Sequence, residues 1–386
     1  MTNMKKVAII RGGDLGKYEM QNYVSCQENG IELTGMTSKR PRGDLSELTF
    51  PLQQFYTLED YSRSPLYRRA LNKYFGEGQV MVGLEKALSG FDVAHSAEIH
   101  NYYTYQAIKA KLEGRVKKVV VTVWQNIPLV GDFNPAQAKF KKIVIENTDL
   151  FHAVTEQAKN ALIMDGVPED KIHVQPYGVD QSVFASNNQN LDELREKYGV
   201  SSDDFVMLTV SRLVWEKGID FAILAIKKFL TDTNNSRSVK LLIVGSGPRR
   251  AYLQSVIERL GLSSSVKLLG RTSSYSEMSG LFAISDAFIL SSLPLESWQE
   301  QFGYVLIESM SSGVPIIAAR SGAIPEVLSD AGVSVTPGEY VELSLAMRKI
   351  IEDETYRKEL IQKSLQRASE RYDAYKVSQK MVQFYD

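Results

Sequence analysis

Two carboxylates in the run SWQEQFGYVLIESMSSGVPIIAA, residues 297–319, are placed where chemistry could happen. Glu308 lies among Tyr304, Val305, Leu306, Ile307 and Met310, and a carboxylate is rarely buried in such company without a polar partner. Glu300 stands just before Phe302-Gly303. A helix opening at about Tyr304 would present free N–H groups and the positive end of its dipole, which is an anion site. Glu308 inside that helix could accept paired hydrogen bonds from vicinal hydroxyls of a sugar or ribose. It could equally accept one from a neighbouring backbone group or arginine, with Glu300 left in solvent.

Two cations form a second group. In SRLVWEKG (211–218), Arg212 and Lys217 follow the apolar run FVMLTV. A guanidinium fork and an ammonium suit a diphosphate, although two solvated surface cations fit the same spacing. A third group is RGGDLGK (11–17), after the first apolar run. Glycine there lets backbone N–H groups approach a ligand, or simply makes a tight strand-to-helix turn. It is not the G-x-G-x-x-G fingerprint of dinucleotide binding.

The elements that must hold these residues repeat a pattern. KVAII (6–10), DVAHS (92–96), KKVVVTVW (117–124) and LFHAVT (150–155) alternate with helical stretches such as EQAKNALIMDG (156–166). Continuous apolar strands between helices predict a parallel sheet covered on both faces. The pattern restarts with FVMLTVS, VKLLIVGSG, VKLLG, DAFILSS and VPIIAA. The expected fold is therefore α/β, two Rossmann-like doubly wound domains in series facing a central cleft. The boundaries are set at 1–178 for the first domain and 179–370 for the second, with 371–386 as a separate closing helix. ASNNQN (185–190) is the linker candidate, and residues 39–85 yield only a loop and a basic helix, LYRRALNKYFGEG.

The composition narrows the partners. With 45 basic and 46 acidic residues, the chain lacks the basic excess that bulk nucleic-acid binding needs. A single cysteine, Cys26, forms no intrachain disulfide, so a reducing, cytoplasmic setting is expected. No apolar run is long enough to span a membrane. The basic stretches YRRALNKYF and AKFKK could meet an anionic lipid surface or an acidic acceptor, or be solvated helix faces.

EQFGYVLIESMSSGVPIIAARSGAIPEV resembles the signature of the retaining glycosyltransferases of family four, which have the GT-B fold: Glu300, Glu308, Met310, Gly313, Pro315, Gly322, Pro325 and Glu326 all match. VQPYGVDQSVF, SRLVWEKGID, LLIVGSGP and RYDAYKVSQKMVQFY are similar to further family motifs, in order, so the likeness is good from about 150 onward and thinner before. The resemblance implies a UDP- or GDP-linked sugar as donor, a hydroxyl acceptor (glycan, lipid or small molecule), and neither cofactor nor metal. It implies that Glu308 holds ribose hydroxyls, Glu300 the donor sugar, and Arg212 and Lys217 the diphosphate. Backbone N–H groups of Phe302, Gly303, Tyr304, Val305 and Leu306, and of Gly13, would bind sugar and phosphate oxygens. Gly245, Gly247 and Arg271 fall at the base pocket. The first domain would take the acceptor and the second the nucleotide sugar, with residues 371–386 crossing back to the first. In DVAHSAEIHNYYTYQ, His95 matches the first family histidine and Ala97 stands at the second, so either Glu98 or His100 takes over the polar role or the contact is missing. Read from its own surroundings, His95 is a packed strand-end residue, and Trp124 would wall the acceptor side. With no nucleophile in place, front-face displacement with retention is expected. The alternatives are a glycoside hydrolase using Glu300 and Glu308, and a non-catalytic nucleotide-sugar binding protein.

Overall fold

The protein is described from a computed structural model, which covers residues 4–62, 64–76, 79–185, 190–232, 238–272 and 274–386. Most of the linker candidate, residues 186–189, lies outside the described residues. The chain divides into two compact units, Met1–Val179 with Ala374–Asp386, and Asp180–Asp373.

The first unit is built on a seven-stranded sheet: β1 Lys5–Gly12, β2 Ile31–Ser38, β3 Leu52–Phe55, β4 Phe91–Ala97, β5 Val116–Val123, β6 Leu150–Ala153 and β7 Ile172–Val174. Its order is β3-β2-β1-β4-β5-β6-β7, with every pairing parallel. Val7, Ala8, Ile9 and Ile10 are fully buried, as expected of a central strand with helices on both faces. Local signals open the helices: Thr155 caps Glu156–Met164, and Asn134 caps Pro135–Asn147. Strand β3 lies within residues 39–85, which yield only a loop and a basic helix from sequence, and β2 lies just before that stretch. IELTGMTS mixes polar residues into the strand, and LQQF is short.

The returning tail belongs to this unit. The helix Ala374–Met381 and the turn Val382–Tyr385 bury Val377, Met381, Phe384 and Tyr385, while Val382 is half-buried. Ser378 Oγ accepts from the Cys26 backbone N–H at 3.1 Å, which pins the helix to the turn Val24–Asn29.

The second unit holds a six-stranded parallel sheet: β8 Phe205–Val210, β9 Val239–Val244, β10 Val266–Gly270, β11 Ala287–Leu290, β12 Ile316–Ala319 and β13 Gly332–Val335. Its order is β10-β9-β8-β11-β12-β13. The helix Ile219–Asp232 buries Ile219, Ala222, Ile223, Ala225, Ile226 and Phe229 on one stripe against the sheet. Among the described residues, no helix is long and apolar enough to cross a membrane.

Candidate active site

In the second unit the chemistry gathers beyond the C-terminal ends of β8, β9 and β11. The loop after β8 lies directly on the loop after β9: Leu213 N–H donates to Ser246 C=O at 2.9 Å, and Arg249 N–H to Leu213 C=O at 3.1 Å. Glycine is required at 245 and 247 because a Cβ there would run into the backbone oxygens of Ser211 and Leu213. Close loop packing thus accounts for both glycines, and they leave backbone rather than side chains at this edge. Arg271 is exposed just after β10.

Lys217 and Glu300 meet there. Lys217 Nζ lies 2.7 Å from Glu300 Oε2, and both side chains are nearly buried. Ser292 donates its hydroxyl to the same carboxylate oxygen at 2.9 Å. The Trp298 ring lies over the ammonium, with its centroid 4.4 Å from Nζ, a cation–π contact worth about 0.5–2 kcal/mol. The backbone of Glu300 is fixed too: its C=O accepts from Ala323 N–H at 2.8 Å, and a Cβ on Gly322 would strike it. Arg212 stands apart, with 64% of its side chain exposed and Glu216 at 3.4 Å. The two expected diphosphate cations therefore differ: Lys217 is held and Arg212 is open to solvent.

The helix Tyr304–Ser311 starts against this pair. Gly303 is its N-cap, left-handed at φ 81°, and no side chain caps the helix. A Cβ on Gly303 would sit 3.6 Å from Glu300 Cγ, so the carboxylate arm lies beside the helix entrance. Phe302 and Leu306 are buried, and Tyr304 and Val305 are half-buried. One turn further in, Glu308 is 8% exposed. Burial pushes its carboxyl up to about 7, relieved in part by a hydrogen bond from Tyr275.

The first unit treats its candidates differently. Gly13 N–H donates to Gln79 Oε1 at 2.9 Å, so that N–H is engaged within its own unit. His95 is fully buried: Nδ1 contacts Tyr385 Oη at 2.8 Å and Nε2 contacts Thr122 Oγ1 at 2.7 Å. Burial, then the charge of Arg11 and the ring of His152, push it well below the usual histidine range. His95 is therefore corrected from a sugar-side candidate to a packing residue that anchors the returning tail. Glu98 sits at φ 61°, a left-handed position uncommon for a residue other than glycine. Its Oε1 accepts from Trp124 N–H at 2.9 Å and Gln125 N–H at 3.2 Å, so this carboxylate organises the loop after β5. His100 Nδ1 lies 3.8 Å from Glu98 Oε2, and burial followed by the charge of Lys141 pushes the ring down to about 4. Trp124 is half-buried against Tyr177, with ring centroids 5.5 Å apart. Glu98, His100 and Trp124 thus share one corner, and His95 does not belong to it.

Two family models lie end to end on this chain: Glycosyltransferase Family 4 over residues 25–183, and Glycosyl transferases group 1 over residues 190–367. The chain belongs to glycosyltransferase family four and has the GT-B fold. Within the family, it is 26% identical to N-acetyl-alpha-D-glucosaminyl L-malate synthase of Bacillus anthracis, over 76% of this chain and 73% of that protein. It is 31% identical to the GDP-mannose-dependent alpha-(1-6)-phosphatidylinositol monomannoside mannosyltransferase of Mycolicibacterium smegmatis, over 42% of each chain. Among solved structures, Anabaena HepE in complex with UDP superposes with a TM-score of 0.78 at 21% identity, over 99% of both chains. Sucrose-phosphate synthase of Thermosynechococcus elongatus gives 0.75 at 17% identity, over 99% of this chain and 98% of that one. These two likenesses are of fold.

Sequence reasoning on this glycosyltransferase missed Ser292, Trp298 and Gln79. Trp298 did carry a signal. A tryptophan two positions before Glu300, in a turn where Leu295 and Trp298 pair backbone to backbone, is well placed to cover that carboxylate's partner.

Proposed function

We propose that this glycosyltransferase moves a sugar from a nucleoside-diphosphate sugar to a hydroxyl acceptor with retention at the anomeric carbon. One observation carries the reading: Lys217, Glu300 and the uncapped start of the helix Tyr304–Ser311 meet at Gly303. A donor needs this combination. Breaking the anomeric C–O bond places negative charge on the departing diphosphate and positive charge on the sugar. Lys217, the N-terminal end of the helix at Tyr304 and Val305, and the solvent-exposed Arg212 would take the diphosphate charge, as fixed donors aimed at developing charge do elsewhere, whereas Leu306 N–H is already engaged by Gly303 C=O at 2.8 Å. Glu300, held by Ser292 and by its fixed backbone, would grip sugar hydroxyls once the diphosphate draws on Lys217. Glu308 would accept from the ribose hydroxyls, and Gly245, Gly247 and Arg271 would border the base.

In the front-face scheme, the acceptor oxygen bonds to the anomeric carbon on the side the diphosphate leaves. The acceptor's proton passes to the departing phosphate oxygen, so no protein base is required. Glu300 is paired with a lysine rather than poised as a nucleophile, and Glu308 lies inside a helix. Neither position suits the facing acid and base of a hydrolase. The proposed setting is cytoplasmic, in keeping with the single cysteine. A thermal-shift panel of UDP, GDP and ADP sugars, followed by transfer of a labelled sugar, tests the donor. Stabilisation by one nucleotide series together with turnover is expected. Binding with no turnover on any acceptor would leave the binding-protein alternative standing.

A further inference from the structure

The turn that carries Lys217 is held from two sides, and one arginine supplies most of one side. Arg249 is the N-cap of the helix Arg250–Arg259, yet its side chain caps nothing, and the first turn holds no acidic residue. Local rules disfavour it there. Serine, threonine, asparagine or aspartate would satisfy the free N–H groups, and a cation meets the positive end of the helix dipole. The reason for an arginine lies in its tertiary contacts.

Arg249 meets the chain around Lys217 at three points. Its backbone N–H donates to Leu213 C=O at 3.1 Å. Its guanidinium lies over the Trp215 ring, 4.8 Å from the centroid. Its Nη2 lies 2.8 Å from Asp220 Oδ1, and both of these side chains are mostly buried. Trp215 precedes Lys217 in one short turn, and Asp220 follows it in the first turn of the helix Ile219–Asp232. Tyr252 adds a second ring, its centroid 4.5 Å from the guanidinium. A planar, weakly hydrated guanidinium can stack on aromatic faces while pairing with a carboxylate, which an ammonium cannot do.

The loop after β11 holds the other side. Ser291 Oγ donates to Gly218 C=O at 2.8 Å and to Lys217 C=O at 3.2 Å, and Leu293 N–H donates to Glu216 C=O at 2.8 Å. Gly218 has φ 59°, and a Cβ there would strike Ser291 C=O, so the approach needs glycine. The long Lys217 side chain therefore starts from a fixed backbone. Displacing a catalytic group by about 1 Å can cost about a hundredfold in rate.

We propose that Arg249 is a positioning residue for Lys217. By tying Trp215 and Asp220 to the loop after β9, it sets where the Lys217 ammonium meets the departing diphosphate. Arg249 acts through Lys217 and not by its own charge on the substrate. The inference rests on the donor reading and deepens it.

Calorimetry on the full chain measures UDP, GDP and ADP, each beside its nucleoside, in a double-variant cycle of Arg249→Lys and Lys217→Ala. Arg249→Lys keeps a cation beside Asp220 and loses the stacking. It should weaken diphosphate binding about three- to tenfold and leave the nucleoside unchanged, with cooperative thermal unfolding retained. In the Lys217→Ala background the same change should cost nothing further, because residues that act as one unit are not additive. Tyr252→Leu, at a half-exposed ring, removes one of the two stacking partners and should give a smaller loss with the same pattern. Losses that multiply in the double variant would mean that Arg249 meets the phosphates itself. Equal losses for nucleoside and diphosphate would mean a general distortion of the unit. Either result overturns the proposal, as does full diphosphate affinity in Arg249→Lys. Unchanged affinity in Lys217→Ala alone would instead overturn the donor reading, and this inference with it.

Discussion

Replacing Glu308 by glutamine should make the second unit more stable and its nucleotide binding worse. Glu308 is buried, and its carboxyl is raised from near 4.5 to about 7. In the unfolded chain it titrates near its ordinary value. Between these two values the folded protein keeps a proton that the unfolded chain has lost, so stability falls as pH rises through this window. Below about 4.5 both states are protonated and there is no penalty. Above about 7 the whole penalty is present. At about 1.4 kcal/mol per pH unit, this displacement amounts to about 3 kcal/mol. Glutamine has the same shape and no charge, so Glu308→Gln should escape it. The stability gap between variant and wild type should widen by about 3 kcal/mol from pH 4 to pH 8. The second unit contains two of the three tryptophans, Trp215 and Trp298. Guanidinium unfolding followed by fluorescence in a Trp124→Phe background therefore reports on it. In the opposite direction, a neutral amide accepts ribose hydroxyls less strongly, and a lost hydrogen bond to a charged group is worth about 1.5–3 kcal/mol. Calorimetry with nucleosides and nucleoside diphosphates at about pH 8, where the Glu308 carboxylate is charged, should show roughly ten- to hundredfold weaker binding. Unchanged nucleoside affinity would remove Glu308 from the ribose site. A stability gap that does not widen with pH would refute the burial argument.

Other perturbations separate the roles. Lys217→Ala and Arg212→Ala should each lower turnover by roughly two to three orders of magnitude, as loss of an oxyanion-type donor does. Steady-state kinetics with a saturating acceptor is the check, and near-normal turnover in both would end the diphosphate assignment. Trp298→Leu should weaken nucleoside diphosphates by about three- to tenfold and leave nucleosides unaffected, since the ring acts through the Lys217 ammonium; equal losses for both ligands would contradict this. Gly322→Ala should reduce turnover more than tenfold by pushing the Glu300 backbone aside, and full activity would show that this turn is not critical. Ending the chain after Asp373 removes Tyr385 from His95 and the buried Phe384, so limited proteolysis should cut the first unit faster than in the full chain. Unchanged resistance would mean the tail is dispensable.

Much of this architecture was legible because parallel strands buried on both faces must be apolar throughout. VAII in β1, VVVTV in β5 and VKLLIV in β9 announce themselves, and the sites follow at their C-terminal ends. β2 hides because IELTGMTS interrupts its apolar residues. β7 and β13, IHV and GVSV, are too short to show a period. At the site, Glu300, Glu308 and Lys217 could be singled out by residue type and motif. Their mutual pairing could not, because residues 217 and 300 meet only when the loops after β8 and β11 fold together. The same holds for Gln79, whose partner Gly13 is 66 residues away, while Ser292 reaches Glu300 eight residues on, within one loop whose path no periodicity reveals. His95 shows the reverse case: its motif points to a ligand, and its fate depends on Tyr385, 290 residues away.

The central claim is transfer from a nucleotide sugar with retention. The most direct measurement follows the anomeric proton signals by NMR while the enzyme works on an α-linked nucleotide sugar and an acceptor hydroxyl. Release of nucleoside diphosphate matched by growth of an α-glycoside is the predicted result. A β-glycoside as first product would contradict retention, and no nucleoside diphosphate released from any UDP, GDP or ADP sugar would contradict the donor itself.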